Sequence, residues 1–177
     1  MNNLNINIHS DLIEGCREGN TSSQFALYKQ YSKAMYNLAF RILNNREDAE
    51  DILQETFIDC FNMIGTFRFE STFGAWLKRI LVNKCLNHLK RRKPLISFYD
   101  ELPDCEEEQD DEKNFYDLNK IYDGIKKLPD GYRIIFTLYL LEGYDHEEIG
   151  QILGISESTS KSQYSRARQK LKKIITE

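Results

Sequence analysis

Between Asp145 and Lys173 the chain reads DHEEIGQILGISESTSKSQYSRARQKLKK, a stretch that leaves little choice of local fold. Asp145 precedes a helical pattern and Glu148 lies three residues on, the signature of a capping box. Ile149, Ile152 and Leu153 recur at helical spacing and give this short helix one apolar face. Gly154 stands where the chain must turn, and glycine takes positive φ without steric cost. Ile155 can plug the turn into a core, and Ser156 is a good N-cap for a second helix. From Ser156 to Ile175 there are six Lys or Arg and one acid, Glu157, placed in the first turn where the helix dipole favours it. A short support helix, a fixed crossing and a long cationic helix are the parts of a helix-turn-helix that enters the DNA major groove. An ordinary helical hairpin with a solvated basic face shares the local pattern. The concentration of positive charge, in a chain whose net charge is −4, favours DNA.

The totals exclude several classes. A length of 177 residues allows one ordinary domain or two small ones. No apolar run is long enough to span a bilayer, and the N-terminal MNNLNINIHSD has no basic region followed by an apolar stretch. A cytoplasmic location without direct membrane insertion is expected. Cys16, Cys60, Cys85 and Cys105 show no CxxC spacing, so no metal or redox site is expected; Cys60 and Cys85 fall on apolar helical faces and read as buried small hydrophobes. His9, His88 and His146 are scattered and read as surface or interfacial side chains.

Taken in order, residues 1–9 are polar, and Ser10 can cap a short helix from Asp11 to Glu18. A long helix follows from Thr21 to Asn44, with Phe25, Tyr28, Tyr31, Met35, Leu38, Ala39, Ile42 and Leu43 as its buried stripe. The next helix runs from Glu47 to Ile64. Ala49, Ile52, Leu53, Phe57, Cys60, Phe61 and Ile64 face inward, while Asp48, Asp51, Gln54, Glu55 and Asp59 face outward as an acidic stripe. Such a stripe is a solvated face or a docking surface for a basic partner. Gly65 ends that helix, and the loop Thr66–Ser71 holds Phe67, Arg68 and Phe69. A further helix spans Thr72 to Arg92, with Phe73, Trp76, Leu77, Ile80, Leu81, Cys85 and Leu89 inward. From Thr66 to Lys93 there are eight Lys or Arg and one acid. This second basic segment is interleaved with aromatics and asparagines, residue types that stack on and hydrogen-bond to exposed bases. Phe73 and Trp76 fit the core stripe; for Phe67 and Phe69 core packing and base contact are equally open.

Residues 94–117 form an acidic linker, with ten acids and one lysine from Asp100 to Asp117. Beyond it, Leu118 to Lys127 reads as a helix with Leu118, Ile121, Tyr122 and Ile125 inward. Leu128-Pro129-Asp130 opens another, to Glu142, with Tyr132, Ile135, Phe136, Tyr139 and Leu140 at core spacing. The chain is expected to be all-α: an N-terminal helical domain, residues 1–93, a flexible acidic linker, and a C-terminal helix-turn-helix domain, residues 118–177. Tethering two basic modules makes the second contact effectively intramolecular. One module suits duplex DNA and the other suits bases taken out of the stack, which together describe recognition and opening of a promoter.

The segments DAEDILQETFIDCF (Asp48–Phe61), FRFESTFGAWLKRILVNKCLNHLKRR (Phe67–Arg92) and LPDGYRIIFTLYLLEGYDHEEIGQILGISESTSKSQYSRARQKL (Leu128–Leu171) together resemble the extracytoplasmic-function group of bacterial RNA polymerase sigma factors. The resemblance implies a sigma factor, not an enzyme, with no cofactor, no catalytic residue and no metal. It implies that Asp48, Asp51, Gln54 and Glu55 dock on the clamp helices of core RNA polymerase, whose large subunits also offer a flap. Phe67 and Arg68 would lie in the loop that captures a flipped base of the minus-ten element, and Lys78, Asn83 and Asn87 on the helix face that contacts the opened strand. Lys161, Ser162, Ser165 and Arg166 would reach the minus-thirty-five element, with Arg168 on a phosphate. The partners so implied are core polymerase, promoter DNA and an anti-sigma factor. The linker would run through core enzyme toward the RNA exit path.

Four positions depart from the pattern. Phe69 stands where relatives often have Gly, and Asn87 where many have Asp. Ser160 replaces a usual Val and needs a hydrogen-bond partner, for which a backbone carbonyl of the preceding turn is the nearest candidate. Gln163 replaces a usual Arg and removes a phosphate contact. A stand-alone regulator would share the helix-turn-helix but has no need of the second basic-aromatic segment. A nucleic-acid enzyme would need a carboxylate, His or Cys cluster that the sequence lacks.

Overall fold

The computed structural model describes residues 9–92 and 118–176, and no strand occurs among them. The chain divides into two compact units, Met1–Arg92 and Lys93–Glu177. The linker expected at residues 94–117 lies outside the described residues, as does Cys105.

The first unit holds α1 (Ser10–Arg17), α2 (Thr21–Leu43), α3 (Arg46–Met63) and α4 (Phe73–Arg92), with a 3-10 turn at Ile64–Thr66 between the last two. Local chemistry sets the ends. The Asn20 side chain accepts from the Ser22 and Ser23 backbone N–H groups at 2.9 and 3.1 Å and starts α2. Asn44, at φ 52°, ends it in the left-handed conformation that Asn tolerates better than most residues. Asn45 then caps α3 through Asp48 N–H. Ser10 was expected to cap α1; it lies inside the helix, His9 occupies the cap position, and no side chain caps it. Thr72 Oγ1 accepts from Ala75 N–H at 3.2 Å and opens α4.

α2, α3 and α4 close on Leu27, Leu38, Ile42, Leu77 and Leu81, each at most 1% exposed. Removing such side chains from water supplies the unit's main drive to fold, about 2 kcal/mol for each large one. The expected α2 stripe is corrected at two places. Phe25 is 67% exposed and Tyr28 37%, while Leu27 is fully buried. The inward face runs through 27, 35, 38 and 42, and Tyr28 only reaches its edge, meeting Phe57 edge-on at 4.8 Å. Cys16, Cys60 and Cys85 are buried; burial pushes the Cys60 and Cys85 thiols up to about 12.

The second unit holds α5 (Leu118–Lys127), α6 (Asp130–Phe136), α7 (His146–Leu153) and α8 (Glu157–Thr176). One cluster joins Ile125, Leu128, Tyr132 and Phe136 to Ala167 and Leu171 of α8. The buried Arg133 ties the α5–α6 junction, donating to Leu128 O at 2.9 Å and pairing with Asp130 at 2.6 Å. Three expected core positions are exposed: Leu118 (69%), Tyr122 (48%) and Leu140 (53%). The face of α5 that meets α8 is narrow, carried by Ile121 and Ile125 beside Gly124. A Cβ on Gly124 would sit 2.7 Å from a Leu171 methyl, so a larger residue there would require the Leu171 and Ile175 side chains to shift. Leu140 is turned out because α6 widens into a π-helical turn at Thr137–Leu141, which buries Thr137 and Leu138 instead.

Candidate nucleic-acid interface

The helix-turn-helix forms as its residue types dictate. Asp145 Oδ1 accepts from Glu148 N–H at 2.8 Å, and Glu148 Oε2 accepts from Asp145 N–H at 2.9 Å, which completes the capping box. Gly154 takes φ 72° and hands the chain to Ser156, whose Oγ accepts from Thr159 N–H at 3.0 Å. α8 buries Ser160, Gln163, Ala167 and Leu171 and turns its other side outward. Lys161, Ser162 and Arg168 are exposed, and Ser165 and Arg166 are half-buried beside them. All five candidate minus-thirty-five residues therefore lie off the buried stripe. Lys161 pairs with Glu157 one turn earlier at 2.6 Å, and that hydrogen bond raises its pKa. Ser162 Oγ donates to Thr159 O at 3.0 Å.

Two departures from the family pattern turn out to be interior. Gln163 is 2% exposed, so this position faces the core here and not a phosphate. Ser160 is fully buried, and its partner is a side chain, not the backbone carbonyl expected: Ser160 Oγ lies 2.9 Å from His146 Nδ1. The His146 ring stacks on Tyr139 at 4.2 Å and 11°, with Tyr164 at 5.7 Å. This group links the π-helical turn, the support helix and the recognition helix. Burial is the first cause that lowers the His146 pKa, with the Lys161 charge adding to it; Glu157 and Asp145 oppose the shift.

In the first unit the acidic stripe of α3 is partly consumed by α4. Lys84 Nζ pairs with Asp59 at 2.6 Å and Glu55 at 3.4 Å. Burial opposes the charge on Lys84, yet its bonds to Asp59 and Glu55 prevail and its pKa is raised. Asp48 pairs with Arg92, and His88 Nε2 lies 3.3 Å from its other oxygen, close enough for an ion pair but not aligned as a hydrogen bond. The outward placing of Asp48 is thus corrected: its side chain is 19% exposed and held against α4. Asp51 and Gln54 are fully turned out, and Ile58, exposed at 61%, lies one turn beyond them. Ile58 was not singled out by the sequence reading, because an isolated outward Ile within an apolar-rich helix gives no signal of its own.

On α4, Asn83 and Asn87 are exposed and one turn apart. Lys78 was expected on the same face; at about 100° per residue it lies about 140° round the helix from Asn83, and it is half-buried. Among the exposed residues that flank the asparagine face are Arg79 and Lys90. Their spacing with Asn83 and Asn87 was readable in the sequence at steps of four and three. In the loop, Arg68 is exposed, but Phe67 is 3% exposed, its ring packed on Phe69, Phe73 and Trp76 at 4.9–5.9 Å. Phe67 is thus packed in this arrangement. Phe69 is the ring of the loop left half-open, and it holds a positive φ of 57°.

Residues 27–94 match the family model for Sigma-70 region 2, and residues 118–171 match that for Sigma-70 region 4. The chain is 34% identical over 157 residues to the ECF RNA polymerase sigma factor SigE of Mycolicibacterium smegmatis, covering 84% of this chain and 60% of that one. It is 29% identical to the ECF sigma factor SigW of Bacillus subtilis, covering 92% of this chain and 94% of that one. The chain belongs to the extracytoplasmic-function group of RNA polymerase sigma factors. As a sigma factor it is a transcription initiation factor, and its two matched regions fall on the two folded units. The fold of the sigma factor RpoE of Bartonella quintana, solved in complex with the anti-sigma factor NepR, is similar at a TM-score of 0.59 and 21% identity, over 85% of this chain and 95% of that one. That of CnrH, solved with the cytosolic domain of CnrY, is similar at a TM-score of 0.57 and 23% identity, over 93% of this chain and 95% of that one. Among the described residues of this sigma factor, no helix is long and apolar enough to cross a membrane.

Proposed function

We propose that this sigma factor acts in the cytoplasm as a non-enzymatic subunit of RNA polymerase, binding core enzyme, selecting a promoter and helping to open it. The carrying observation is that region 2 and region 4 matches occur in one chain, in order, on separate units that each present a cationic face. The outward face of α3, with Asp51, Gln54 and Ile58, docks on the clamp helices of core. Glu55 contributes where it is not taken up by Lys84, and Asp48 acts from behind by fixing α3 against α4. Arg79, Asn83, Asn87 and Lys90 track the opened minus-ten strand, with Arg68 on the loop and Lys78 at the margin. Lys161, Ser162, Ser165 and Arg166 read the minus-thirty-five duplex, and Arg168 meets a phosphate. RpoE of Bartonella quintana was solved with an anti-sigma factor. An anti-sigma factor that covers the α3 face and the recognition helix is the matching regulator for this chain.

Run-off transcription with bacterial core enzyme on a genomic promoter library tests the proposal. The expected result is transcripts from a small promoter set, dependent on this chain. A chain that leaves core enzyme without any new product, yet binds one duplex sequence tightly alone, is a stand-alone regulator instead.

A further inference from the structure

Between Glu18 and Glu47 the chain carries four Lys or Arg and no acid, although acids outnumber bases by 28 to 24 over its whole length. Nearly all of that run is α2. Its buried side runs through Leu27, Leu38 and Ile42. The opposite side carries Lys29, Lys33 and Asn37, all exposed and successively one turn apart. No carboxylate stands on this helix, so the two lysine charges are not neutralised from within it.

Two aromatic rings share this side. At about 100° per residue, Phe40 lies about 160° round the helix from the fully buried Ile42 and within about 20° of Lys33. Tyr36 precedes it by one turn, and the two rings stack at 6.2 Å and 11°. Both are half-exposed and neither belongs to the buried core. The packing of α2 on α3 and α4 therefore does not account for a phenylalanine in the middle of a cationic, solvent-facing side. Each ring orders the other before any ligand arrives, which lowers the ordering cost of stacking a further ring on the pair.

We propose that this side of α2 is a binding surface for single-stranded DNA, with Tyr36 and Phe40 stacking on bases and Lys29 and Lys33 meeting phosphates. Cations that track a backbone beside aromatic faces are the chemistry of sequence-tolerant single-strand binding. A duplex hides the faces of its bases, and an acidic protein would engage the lysines and leave the rings idle. That the strand is DNA rests on the reading of this chain as a promoter-opening factor, because opening exposes single strands beside the first unit. The surface lies on a different helix from Asn83 and Asn87 of α4, so it adds grip on an opened strand without reading its sequence.

The experiment follows the anisotropy of a fluorescein-labelled oligothymidylate titrated with the full chain at several salt concentrations, with an oligouridylate and a duplex of the same length as comparisons. Lys29→Gln together with Lys33→Gln is expected to weaken oligothymidylate binding and to lower the slope of log affinity against log salt by about 1.4, from about 0.7 for each of two lost phosphate contacts. Phe40→Ala and Tyr36→Ala are each expected to weaken binding by about tenfold at unchanged salt slope, the scale of one lost base–ring stack. Circular dichroism and duplex binding are expected to stay as in the wild-type chain, since these side chains lie off the core and off α8. If Phe40→Ala fails to fold, the lysine pair and Tyr36→Ala decide the matter. A wild-type chain that does not bind the oligothymidylate overturns the proposal, as does binding that none of the variants alters. Lysine variants that lose affinity for core polymerase and keep it for oligothymidylate make this side a protein contact, which also overturns it. Tighter binding of oligouridylate through the same residues makes the ligand RNA and overturns the assignment to DNA. A chain that holds oligothymidylate through α2 yet opens no promoter with core enzyme keeps the surface and rejects the promoter-opening reading.

Discussion

Consider replacing Ser160 by alanine. The hydroxyl is fully buried in α8 and lies 2.9 Å from His146 Nδ1 of α7. Its removal deletes one hydrogen bond and leaves a ring nitrogen facing an apolar methyl. A lost bond alone is worth about 1 kcal/mol, and a stranded buried partner adds up to about 3 kcal/mol. His146 is only partly buried, so water can reach its ring, and the expected cost is about 1–2 kcal/mol. His146→Ala should cost about the same or more, because it also removes the ring stacked on Tyr139, an aromatic contact worth about 0.5–1.5 kcal/mol. The double substitution should cost less than the sum, with a coupling of about 1 kcal/mol. The sole tryptophan, Trp76, belongs to the first unit, so its fluorescence cannot report this. Hydrogen exchange of the α8 amides in the full chain reads the second unit directly, with Trp76 as the internal control. Additive losses, to within about 0.3 kcal/mol, would refute the claim that this bond fastens the recognition helix to the support helix.

Further outcomes follow from the same geometry. The folded-state pKa of His146 is lowered from 6.5, so the unfolded chain binds the proton more readily. The second unit should hold this contribution above about pH 6.5 and lose it as pH falls through the lowered value, seen as smaller protection factors in α8 once the intrinsic exchange rate at each pH is divided out; in His146→Ala that acid dependence should disappear. Arg166→Ala should weaken promoter selection by about 1–3 kcal/mol if the arginine contacts a base edge, and unchanged preference across minus-thirty-five variants would reject that role. Charge reversal at Asp51 together with Glu55 should lower core affinity in competition assays while circular dichroism stays unchanged. Cys16, Cys60 and Cys85 are buried, and two of their thiols are pushed up to about 12. Alkylation of these three should therefore track unfolding of the first unit; rapid labelling of Cys16, Cys60 or Cys85 in the native chain, located by peptide mapping, would contradict the packing.

What the sequence disclosed was local. The Asp145–Glu148 box, the Gly154 turn and the Phe73–Leu77–Leu81–Cys85 stripe depend on residues within one or two turns of each other, and the structure keeps all of them. What it hid depends on partners far along the chain. Asp48 looks solvent-facing on its own helix, and only the fold brings His88 and Arg92 against it. Phe67 sits in a loop, where burial has no period to betray it. Lys78 shares a sequence neighbourhood with Asn83 but not a helix face. Leu118 and Tyr122 fit an apolar period that one packed neighbour is too narrow to bury. Ser160 was flagged as a hydroxyl in need of a partner, but nothing in the sequence could name His146, because the two meet only once α7 and α8 cross.

The central claim is that one chain both selects duplex DNA and opens it with polymerase. Permanganate reactivity of minus-ten thymines on a promoter chosen by this chain tests that claim most directly. The account predicts reactive thymines only when core enzyme and this chain are both present, and loss of reactivity when Asn83 and Asn87 are replaced together. Protection of the upstream duplex by the chain alone, with no thymine becoming reactive when core is added, would contradict it.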